Sequence, residues 1–146
     1  IVGGDTRTAS SLKGLETCDK SCQNVFIHDA ARPIVNKSMI DVPIRYFENS
    51  RYDAVVPVVQ PVDSYITSPK LLKNNIKLKG NMIKYNDRNI LRIIQTPQMF
   101  RYSKILSAYK NIEKSWSDDL SVLINYKQDS NIMFTDGIAT NIKIYA

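Results

Sequence analysis

The stretch Ala54-Val55-Val56-Pro57-Val58-Val59 is apolar throughout and rich in β-branched side chains, which predicts a buried strand. On its N-terminal side, Val25-Phe26-Ile27 predicts a second short strand that ends at His28-Asp29. Before, between and after these strands, apolar residues recur with helical spacing, so strand and helix patterns alternate along the chain. This alternation predicts an α/β fold with a doubly wound sheet.

Helices and terminal strands complete the sequence-based assignment. Ser38, Ser103 and Ser117 each precede a stretch with helical spacing, and each is predicted to begin or cap a helix. Pro43 is expected in about the first turn of its helix, where its missing N–H removes no hydrogen bond. The predicted helices cover residues 8–17, 38–47, 103–112 and a segment that starts at 117, and the predicted terminal strands cover 131–134 and 141–145.

The composition fits one domain over residues 1–146 and argues against several classes of protein. Of the 146 residues, 43% are hydrophobic, which is enough for a packed core. The apolar runs are too short to cross a membrane, and no segment resembles a secretory signal. Cys18 and Cys22 are too few for a disulfide framework, which fits a reducing compartment. Ile1-Val2-Gly3-Gly4 is typical of an activated trypsin-like protease, but the sequence lacks the Gly-Asp-Ser-Gly segment of such an enzyme.

The net charge of +6 comes from one segment of the chain. Residues 66–92 carry seven Lys and Arg side chains against the single acid Asp87, and the other residues sum to zero charge. Charge concentrated in this way favours a flexible or phosphate-facing arm, assigned to residues 64–92, over a broad nucleic-acid-binding surface. A solvated lysine-rich insertion stays open as the alternative.

Residues 28–33, His28-Asp29-Ala30-Ala31-Arg32-Pro33, follow a predicted strand directly. In doubly wound sheets, ligands bind beyond the carboxyl ends of the strands, so this segment is a candidate site. The Asp29 carboxylate can ligate Mg²⁺ or a ribose hydroxyl, and the Arg32 guanidinium suits a phosphate. The alternative is a structural salt bridge between Asp29 and Arg32 within the loop.

Five motifs in a fixed order resemble those of one enzyme family. They are Gly3-Gly4-Asp5-Thr6-Arg7-Thr8-Ala9-Ser10 for GG-x-x-R-x-x-S, residues 28–33 for HDAARP, Asp87-Arg88 with Gln95-Thr96-Pro97-Gln98-Met99-Phe100, Ser117-Asp118-Asp119, and Asn141-Ile142-Lys143-Ile144. The chain is similar to the 2-C-methyl-D-erythritol 4-phosphate cytidylyltransferases of the non-mevalonate isoprenoid pathway, whose close relatives act on ribitol 5-phosphate. The resemblance implies a Rossmann-like nucleotidyltransferase fold with a protruding dimerisation arm.

The family resemblance also implies a reaction and a set of site residues. The reaction is transfer of the cytidylyl group of CTP to the polyol phosphate with release of pyrophosphate, with Mg²⁺ or another divalent cation as cofactor. The implied catalytic residues are Lys143, Arg88 and Asp29, and Asp29 is also the implied metal ligand. The implied nucleotide-binding residues are Gly3, Gly4, Ser10, Asp29 and Ala30, and the implied substrate-binding residues are Ser64, Arg88, Thr96, Arg32 and Lys143.

In this family, the segment that corresponds to residues 64–92 exchanges across a two-fold dimer. The resemblance therefore implies a homodimer in which Arg88 grips the polyol phosphate bound by the other subunit. Ser64 stands where threonine is usual and keeps the hydroxyl, whereas Ile66 stands where lysine is common. This divergent segment keeps a ribitol-phosphate or other polyol-phosphate cytidylyltransferase open as the alternative. A non-catalytic module that binds phosphate or nucleic acid through the lysine-rich arm is the third hypothesis.

The sequence begins just before Gly3-Gly4, so it does not include the family's opening strand and Gly-rich loop, which cradle the CTP triphosphate. From the resemblance we expect an incomplete cytidylyltransferase domain, with negligible activity if these residues act alone. The resemblance implies neither a nucleic-acid nor a membrane partner. It leaves the bacterial cytoplasm and a plastid-type organelle as the two compartments.

Overall fold

The computed structural model of the chain describes residues 1–48, 51–68 and 77–145. None of the helices in these ranges is long and apolar enough to cross a membrane. The elements in chain order are α1 (Arg7–Glu16), β1 (Asn24–Ile27), α2 (Ser38–Glu48), β2 (Ala54–Val59), β3 (Tyr65–Thr67), a 3₁₀ turn (Gly80–Met82), β4 (Lys84–Asn86), β5 (Ile93–Ile94), β6 (Gln98–Arg101), α3 (Tyr102–Lys110), α4 (Asp119–Tyr126) and β7 (Ile132–Asp136).

The main sheet has five strands with β2 at its centre. On one edge of β2, β6 pairs antiparallel with its first half and β5 pairs antiparallel with its second half. On the other edge, β7 runs parallel to β2, with Ala54 opposite Ile132. β1 pairs antiparallel with β6 and extends the sheet on that side. The first four residues of β2 are buried, as its apolar sequence predicts, because helices cover both faces of this central strand.

Alternate side chains of each strand point to opposite faces of the sheet, and two apolar cores result. On one face, Val56 of β2 and Phe100 of β6 pack against α1, α3 and α4. On the other face, Val55 and Met99 pack against Phe47 of α2. Helices therefore cover both faces of a central sheet, which confirms the predicted α/β fold class.

Within α2, the cap and the proline lie elsewhere than the sequence predicts. Asn36, and not Ser38, accepts the free N–H of Met39, and Ser38 is the first helical residue. Pro43 lies in the middle of the helix instead of the first turn, and its ring is buried. A proline in a helix interior removes a backbone hydrogen bond, and burial of its apolar ring offsets part of that cost.

Both α3 and α4 lie where the sequence predicts them, but their first turns differ from the prediction. α3 begins at Tyr102, so Ser103 lies inside the first turn and does not cap it. α4 is capped by Asp118, not Ser117, because the Asp118 carboxylate accepts the Ser121 N–H at 3.0 Å. A carboxylate is the stronger acceptor at a helix N-terminus, where the helix dipole also favours negative charge.

The prediction of a strand over residues 141–145 is wrong. The segment lies beside residues 28–33 and is joined to them by a backbone hydrogen bond from the Ile144 N–H to the Ala31 carbonyl, 2.8 Å long, without forming a strand ladder. β7 covers the other predicted terminal strand, shifted by one residue at its start. Two short strands that flank the cis peptide bond Thr96-Pro97, β5 and β6, were not predicted from the sequence.

The predicted arm contains a second, two-stranded sheet. β3 and β4 pair antiparallel, with Ile66 opposite Tyr85, and this pair is separate from the main sheet. Arg88 donates a hydrogen bond of 3.0 Å to the Val62 carbonyl and so joins the two ends of the hairpin region. Residues 69–76 of the arm lie outside the described residues. The extent of the arm over residues 64–92 stays a prediction.

Candidate functional site

Three of the sequence motifs meet beyond the carboxyl end of β1. The HDAARP loop (residues 28–33) turns sharply there, since the Arg32 N–H donates to the Asp29 carbonyl at 2.9 Å. The Asp29 N–H donates to Thr96 Oγ1 at 2.9 Å, which docks the loop on the connection between β5 and β6. The NIKI segment (residues 141–144) runs along the loop and supplies Lys143. The site therefore forms at the sheet edge that the strand rule indicates.

Asp29 lies at the centre of this cluster and faces two cations. The Lys143 Nζ lies 3.0 Å from Asp29 Oδ2, and the Arg32 Nε lies 3.4 Å from the same oxygen. Burial raises the pKa of Asp29, but the Lys143 ammonium and then the Arg32 guanidinium outweigh it, so the pKa lies below its ordinary value. The Asp29 side chain is 18% exposed and that of Lys143 33%, so both remain accessible to a ligand.

The Arg32 guanidinium contacts two groups of its own chain, the Asp29 carboxylate and the Asn141 carbonyl. Besides the contact with Asp29, its NH1 donates to the Asn141 carbonyl at 2.6 Å. The Arg32 side chain is 11% exposed. The structure therefore places Arg32 as an internal support of the cluster, as the salt-bridge alternative proposed, and direct substrate binding by Arg32 stays a prediction.

Thr96 and His28 form a short hydrogen-bonded chain beneath the loop. Thr96 Oγ1 accepts the Asp29 N–H, and it lies 3.0 Å from His28 Nδ1. His28 Nε2 lies 2.9 Å from the Arg32 carbonyl, and because a carbonyl only accepts, Nε2 must carry the proton. In the neutral ring Nδ1 then accepts the Thr96 hydroxyl proton. The buried Thr96 hydroxyl thus orients the loop, and its contact with a substrate stays a prediction.

The structure brings the three residues of the predicted nucleotide-binding turn together. Ser10 Oγ accepts the Gly4 N–H at 2.9 Å and lies 3.2 Å from the Gly4 carbonyl. Lys13 Nζ donates to the Gly3 carbonyl at 3.1 Å. A Cβ on Gly4 would lie 2.5 Å from the Cβ of Ala9, so the turn can pack on α1 only with glycine there. Nucleotide contact by Gly3, Gly4 and Ser10 stays a prediction.

An ion pair between the half-buried Arg7 and the buried Asp119, not predicted from the sequence, supports this turn. Asp119 is fully buried, its Oδ2 pairs with the Arg7 guanidinium at the start of α1, and its Oδ1 accepts the Tyr109 hydroxyl proton. Burial, followed by the Asp119 carboxylate, raises the pKa of Tyr109 well above its ordinary value. The pair joins α1, α3 and α4 behind the Gly3-Gly4 turn. The sequence signal that could have indicated this pair is Arg7 in the first motif and Asp119, the second acid of Ser117-Asp118-Asp119.

The remaining predicted site residues lie apart from Asp29. Ser64 and Arg88 are exposed, and in the part of the chain that the structure describes no hydrogen bond or ion pair joins either of them to Asp29, Thr96 or Lys143. The small Ala30 side chain is exposed at the tip of the HDAARP loop. The structure thus separates the arm residues from the rest of the predicted site.

A magnesium ion fits the donor set only if phosphates complete its ligands. The described residues contain no group of three or more His, Cys, Asp or Glu side chains that could hold a metal ion. Within these residues every contact to the Asp29 carboxylate falls on Oδ2, which leaves Oδ1 for a cation. Mg²⁺ is commonly held by one or two carboxylates together with substrate phosphates, and Asp29 matches that arrangement.

Helices cover both faces of the central sheet, and an acid and two cations meet beyond the carboxyl end of β1. This arrangement is typical of a Rossmann-like nucleotidyltransferase fold. The model of the 2-C-methyl-D-erythritol 4-phosphate cytidylyltransferase family matches residues 1–146. The chain belongs to this family, which confirms the resemblance of the motifs.

Individual relatives agree with the family match. The chain is 37% identical over 147 residues to the 2-C-methyl-D-erythritol 4-phosphate cytidylyltransferase of Clostridium botulinum (strain ATCC 19397 / Type A), covering 99% of this chain and 59% of the relative. It is 33% identical over 149 residues to the enzyme of the same name from Prochlorococcus marinus (strain MIT 9215), covering 99% and 60%. The chain therefore spans about three fifths of the length of these relatives.

Solved structures show the same fold. The 2-C-methyl-D-erythritol 4-phosphate cytidylyltransferase of Thermus thermophilus superposes with a TM-score of 0.75 at 27% identity, covering 100% of this chain and 66% of that structure. The 4-diphosphocytidyl-2C-methyl-D-erythritol synthase of Anaerococcus prevotii superposes with a TM-score of 0.81 at 23% identity, covering 99% and 63%, and supports the fold alone. Both agree with the predicted nucleotidyltransferase fold.

Proposed function

We propose that the protein carrying these residues transfers the cytidylyl group of CTP to 2-C-methyl-D-erythritol 4-phosphate and releases pyrophosphate. The main support is that the family match extends over residues 1–146, while the HDAARP loop and the NIKI segment meet at Asp29. The relatives from Clostridium botulinum and Prochlorococcus marinus carry the name of this activity.

The charges at the site suit a reaction between two anionic reactants. The polyol phosphate attacks the α-phosphorus of CTP, and the two reactants repel each other unless cations neutralise them. Lys143 supplies a compact cation at the edge of the cluster, and its side chain is only partly buried, so that it can hold the substrate phosphate and the developing charge. Asp29 orients Lys143 and presents Oδ1 to Mg²⁺ or a ribose hydroxyl. Bound Mg²⁺ would add further positive charge near the phosphates.

The nucleotide is assigned to the Gly3-Gly4 turn and the tip of the HDAARP loop. Glycines leave the backbone of the turn open to close approach by a ligand. Ser10 holds this turn through its hydrogen bonds with Gly4, and Ala30 presents only a methyl group at the loop tip. In this role the Arg7–Asp119 pair fixes the helix from which the turn is presented.

We propose further that residues 1–146 form a single domain. We also propose that its partner is a second copy of the chain and that the arm of residues 64–92 joins the two copies. Arg88 is exposed and makes no described contact with the Asp29 cluster of its own chain. This position supports binding of the substrate phosphate in the partner's site, where the guanidinium can form two parallel hydrogen bonds. Ser64 adds a hydroxyl from the same arm.

The alternatives from the sequence gain no support from the comparisons. The relatives reported above are named for the methylerythritol phosphate reaction, not for a ribitol phosphate reaction. Membership of an enzyme family also weighs against a non-catalytic module that binds nucleic acid through the arm. These relatives come from bacteria, which supports the bacterial cytoplasm over a plastid-type organelle as the compartment.

The test is pyrophosphate release by the full-length protein with CTP and Mg²⁺. Methylerythritol 4-phosphate and ribitol 5-phosphate are offered in parallel, and a reaction without acceptor serves as the blank. We expect turnover that depends on methylerythritol phosphate. Turnover with ribitol phosphate alone would assign the protein the ribitol-phosphate reaction instead. No pyrophosphate release with either acceptor would refute the proposal.

A further inference from the structure

We infer that Asn141, whose side-chain amide has no role in the site described so far, is a positioning residue that holds Lys143 and Arg32 against Asp29. The effect of Asn141 on turnover rests on the proposed function, whereas the hydrogen bonds of Asn141 are independent of it. Asn141 is the first residue of the NIKI segment and is 1% exposed, so it cannot touch a substrate directly. Its effect must pass through the neighbours that it binds.

Asn141 joins the segments that build the site. Its Nδ2 donates to the Thr96 carbonyl at 2.8 Å and to Gln95 Oε1 at 3.4 Å. Its own carbonyl accepts the Arg32 NH1 at 2.6 Å. One residue is therefore bonded to the β5–β6 connection and to the HDAARP loop, and it leads directly into the segment that carries Lys143.

The chemistry of these contacts fixes which way the amide points. Both groups that face Nδ2, the Thr96 carbonyl and Gln95 Oε1, are acceptors, so a reversed amide would set oxygen against oxygen. In the observed orientation Asn141 Oδ1 is buried and has no hydrogen-bond partner within the described residues. Burial of an unsatisfied acceptor is unfavourable, and the hydrogen bond from Nδ2 to the Thr96 carbonyl must offset that cost. The same hydrogen bond ties the NIKI segment to the β5–β6 connection.

Lys143 lies between two anchors. Asn141 fixes the chain two residues before it, and the Ile144 N–H fixes the chain one residue after it by donating to the Ala31 carbonyl at 2.8 Å. A residue adds at most about 3.6 Å of chain, so these anchors leave the Lys143 backbone little room to move. The Lys143 side chain then spans the remaining gap to Asp29 Oδ2. Loss of the Asn141 amide releases one anchor and also shifts the carbonyl that orients Arg32.

The test compares Asn141→Leu with the wild type in two assays. Crystal structures of both proteins report whether both cations still face Asp29, through the distances to Asp29 Oδ2 from Lys143 Nζ and Arg32 Nε, 3.0 Å and 3.4 Å in the wild type. We expect both distances to exceed about 4 Å in the variant, because the NIKI segment loses an anchor. In the pyrophosphate assay, we expect kcat to fall about 10-fold with the KM for CTP changed less than about 2-fold. The distances need no turnover, so they decide the role of Asn141 even if the proposed function fails.

Asp53→Asn is the matched control. Asp53 is a buried polar residue at the opposite end of β2, where its carboxylate accepts the Asn131 N–H at 3.0 Å and pairs with Lys104 at 2.6 Å. This control should lower stability without changing either distance to Asp29 or kcat. Asn141→Ser, which keeps a small hydrogen-bond donor, should displace Lys143 and Arg32 less and carries the test if the leucine variant does not fold. Unchanged distances from Lys143 and Arg32 to Asp29 in a folded Asn141 variant, or unfolding of both variants, would overturn the inference.

Discussion

Two carboxylates that each pair with an arginine, but differ in burial, have different roles in this molecule. Asp29 faces Lys143 and Arg32 at a partly exposed edge, so a cation or hydroxyl can still approach it. Asp119 pairs with Arg7 and accepts the Tyr109 hydroxyl proton where no ligand can enter. The first arrangement is suited to binding and transfer, and the second fixes three helices to each other.

Asp119→Asn tests the structural role at the residue scale. The variant keeps the shape of the side chain but places an amide nitrogen against the Arg7 guanidinium or the Tyr109 hydroxyl, and it leaves the Arg7 charge uncompensated. Because Asp119 is buried while the Arg7 side chain is 35% exposed, this change should lower the free energy of unfolding by about 2 kcal/mol, measured by chemical denaturation.

The exposed pair of Lys37 and Asp41 is the control for this change. Asp41→Asn removes a pair of 2.6 Å in which the side chains are 88% and 41% exposed, and it should cost less than about 0.5 kcal/mol. Equal costs for the two variants would contradict the role assigned to Asp119.

Sequence reasoning reached Asp29 and not Asp119 for a physical reason. Asp29 directly follows a strand pattern, and the strand rule then places it at a ligand-binding edge. Asp119 could be interpreted only as part of a helix start, because its partner Arg7 is 112 residues away in the sequence. Thr96 is an intermediate case: its motif placed it in the site, but only the fold shows its hydroxyl bonded to the loop backbone.

At the scale of secondary-structure elements, α1 presents the Gly3-Gly4 turn. Two glycines in this region differ in the space that is available for a side chain. A Cβ on Gly4 would lie 2.5 Å from the Ala9 Cβ, whereas a Cβ on Gly14 would meet nothing within 4 Å. Gly14 lies inside α1, where glycine only lowers helix stability. The same substitution should therefore have opposite effects at the two positions.

We expect Gly4→Ala to lower the free energy of unfolding by about 2 kcal/mol, because the turn must move off α1. We expect Gly14→Ala to raise it by about 0.5–1 kcal/mol through helix propensity alone. Both values are measured by denaturant titration of the two variants beside the wild type. A change of the same sign in both would show that the close contact at Gly4 is not what requires glycine there.

The elements that the sequence failed to predict share one property. β5 has only two residues and β6 has four, which is too short for a recognisable strand pattern in the sequence. Pairing with the neighbouring strands β2 and β1 holds them in the sheet. Residues 141–145 have the alternation of a strand, but side-chain and backbone anchors to other loops hold them outside the sheet. Long, strongly apolar elements such as β2 were predictable because burial on both faces leaves a direct trace in the sequence.

For the whole molecule, the proposed dimer predicts how two copies would share a site. If Arg88 serves the partner's site, a heterodimer of Arg88→Ala and Lys143→Ala subunits contains one site with both defects and one with neither. Separately tagged and co-purified heterodimers should then recover about half of the wild-type turnover, while each variant homodimer stays inactive. Heterodimers as inactive as the parents would show that Arg88 acts within its own chain.

The central claim is that the Asp29 cluster is the site of cytidylyl transfer. The most direct measurement is the rate of pyrophosphate release by Lys143→Met in the full-length protein, beside Lys104→Met as a control. Both lysines form ion pairs with an aspartate, at 3.0 Å and 2.6 Å, but Lys104 lies at the opposite end of β2. We predict that Lys143→Met lowers the rate at least about 100-fold while Lys104→Met leaves it within about 2-fold. A Lys143→Met variant that keeps the wild-type rate, or two variants that lose activity equally, would contradict the assignment.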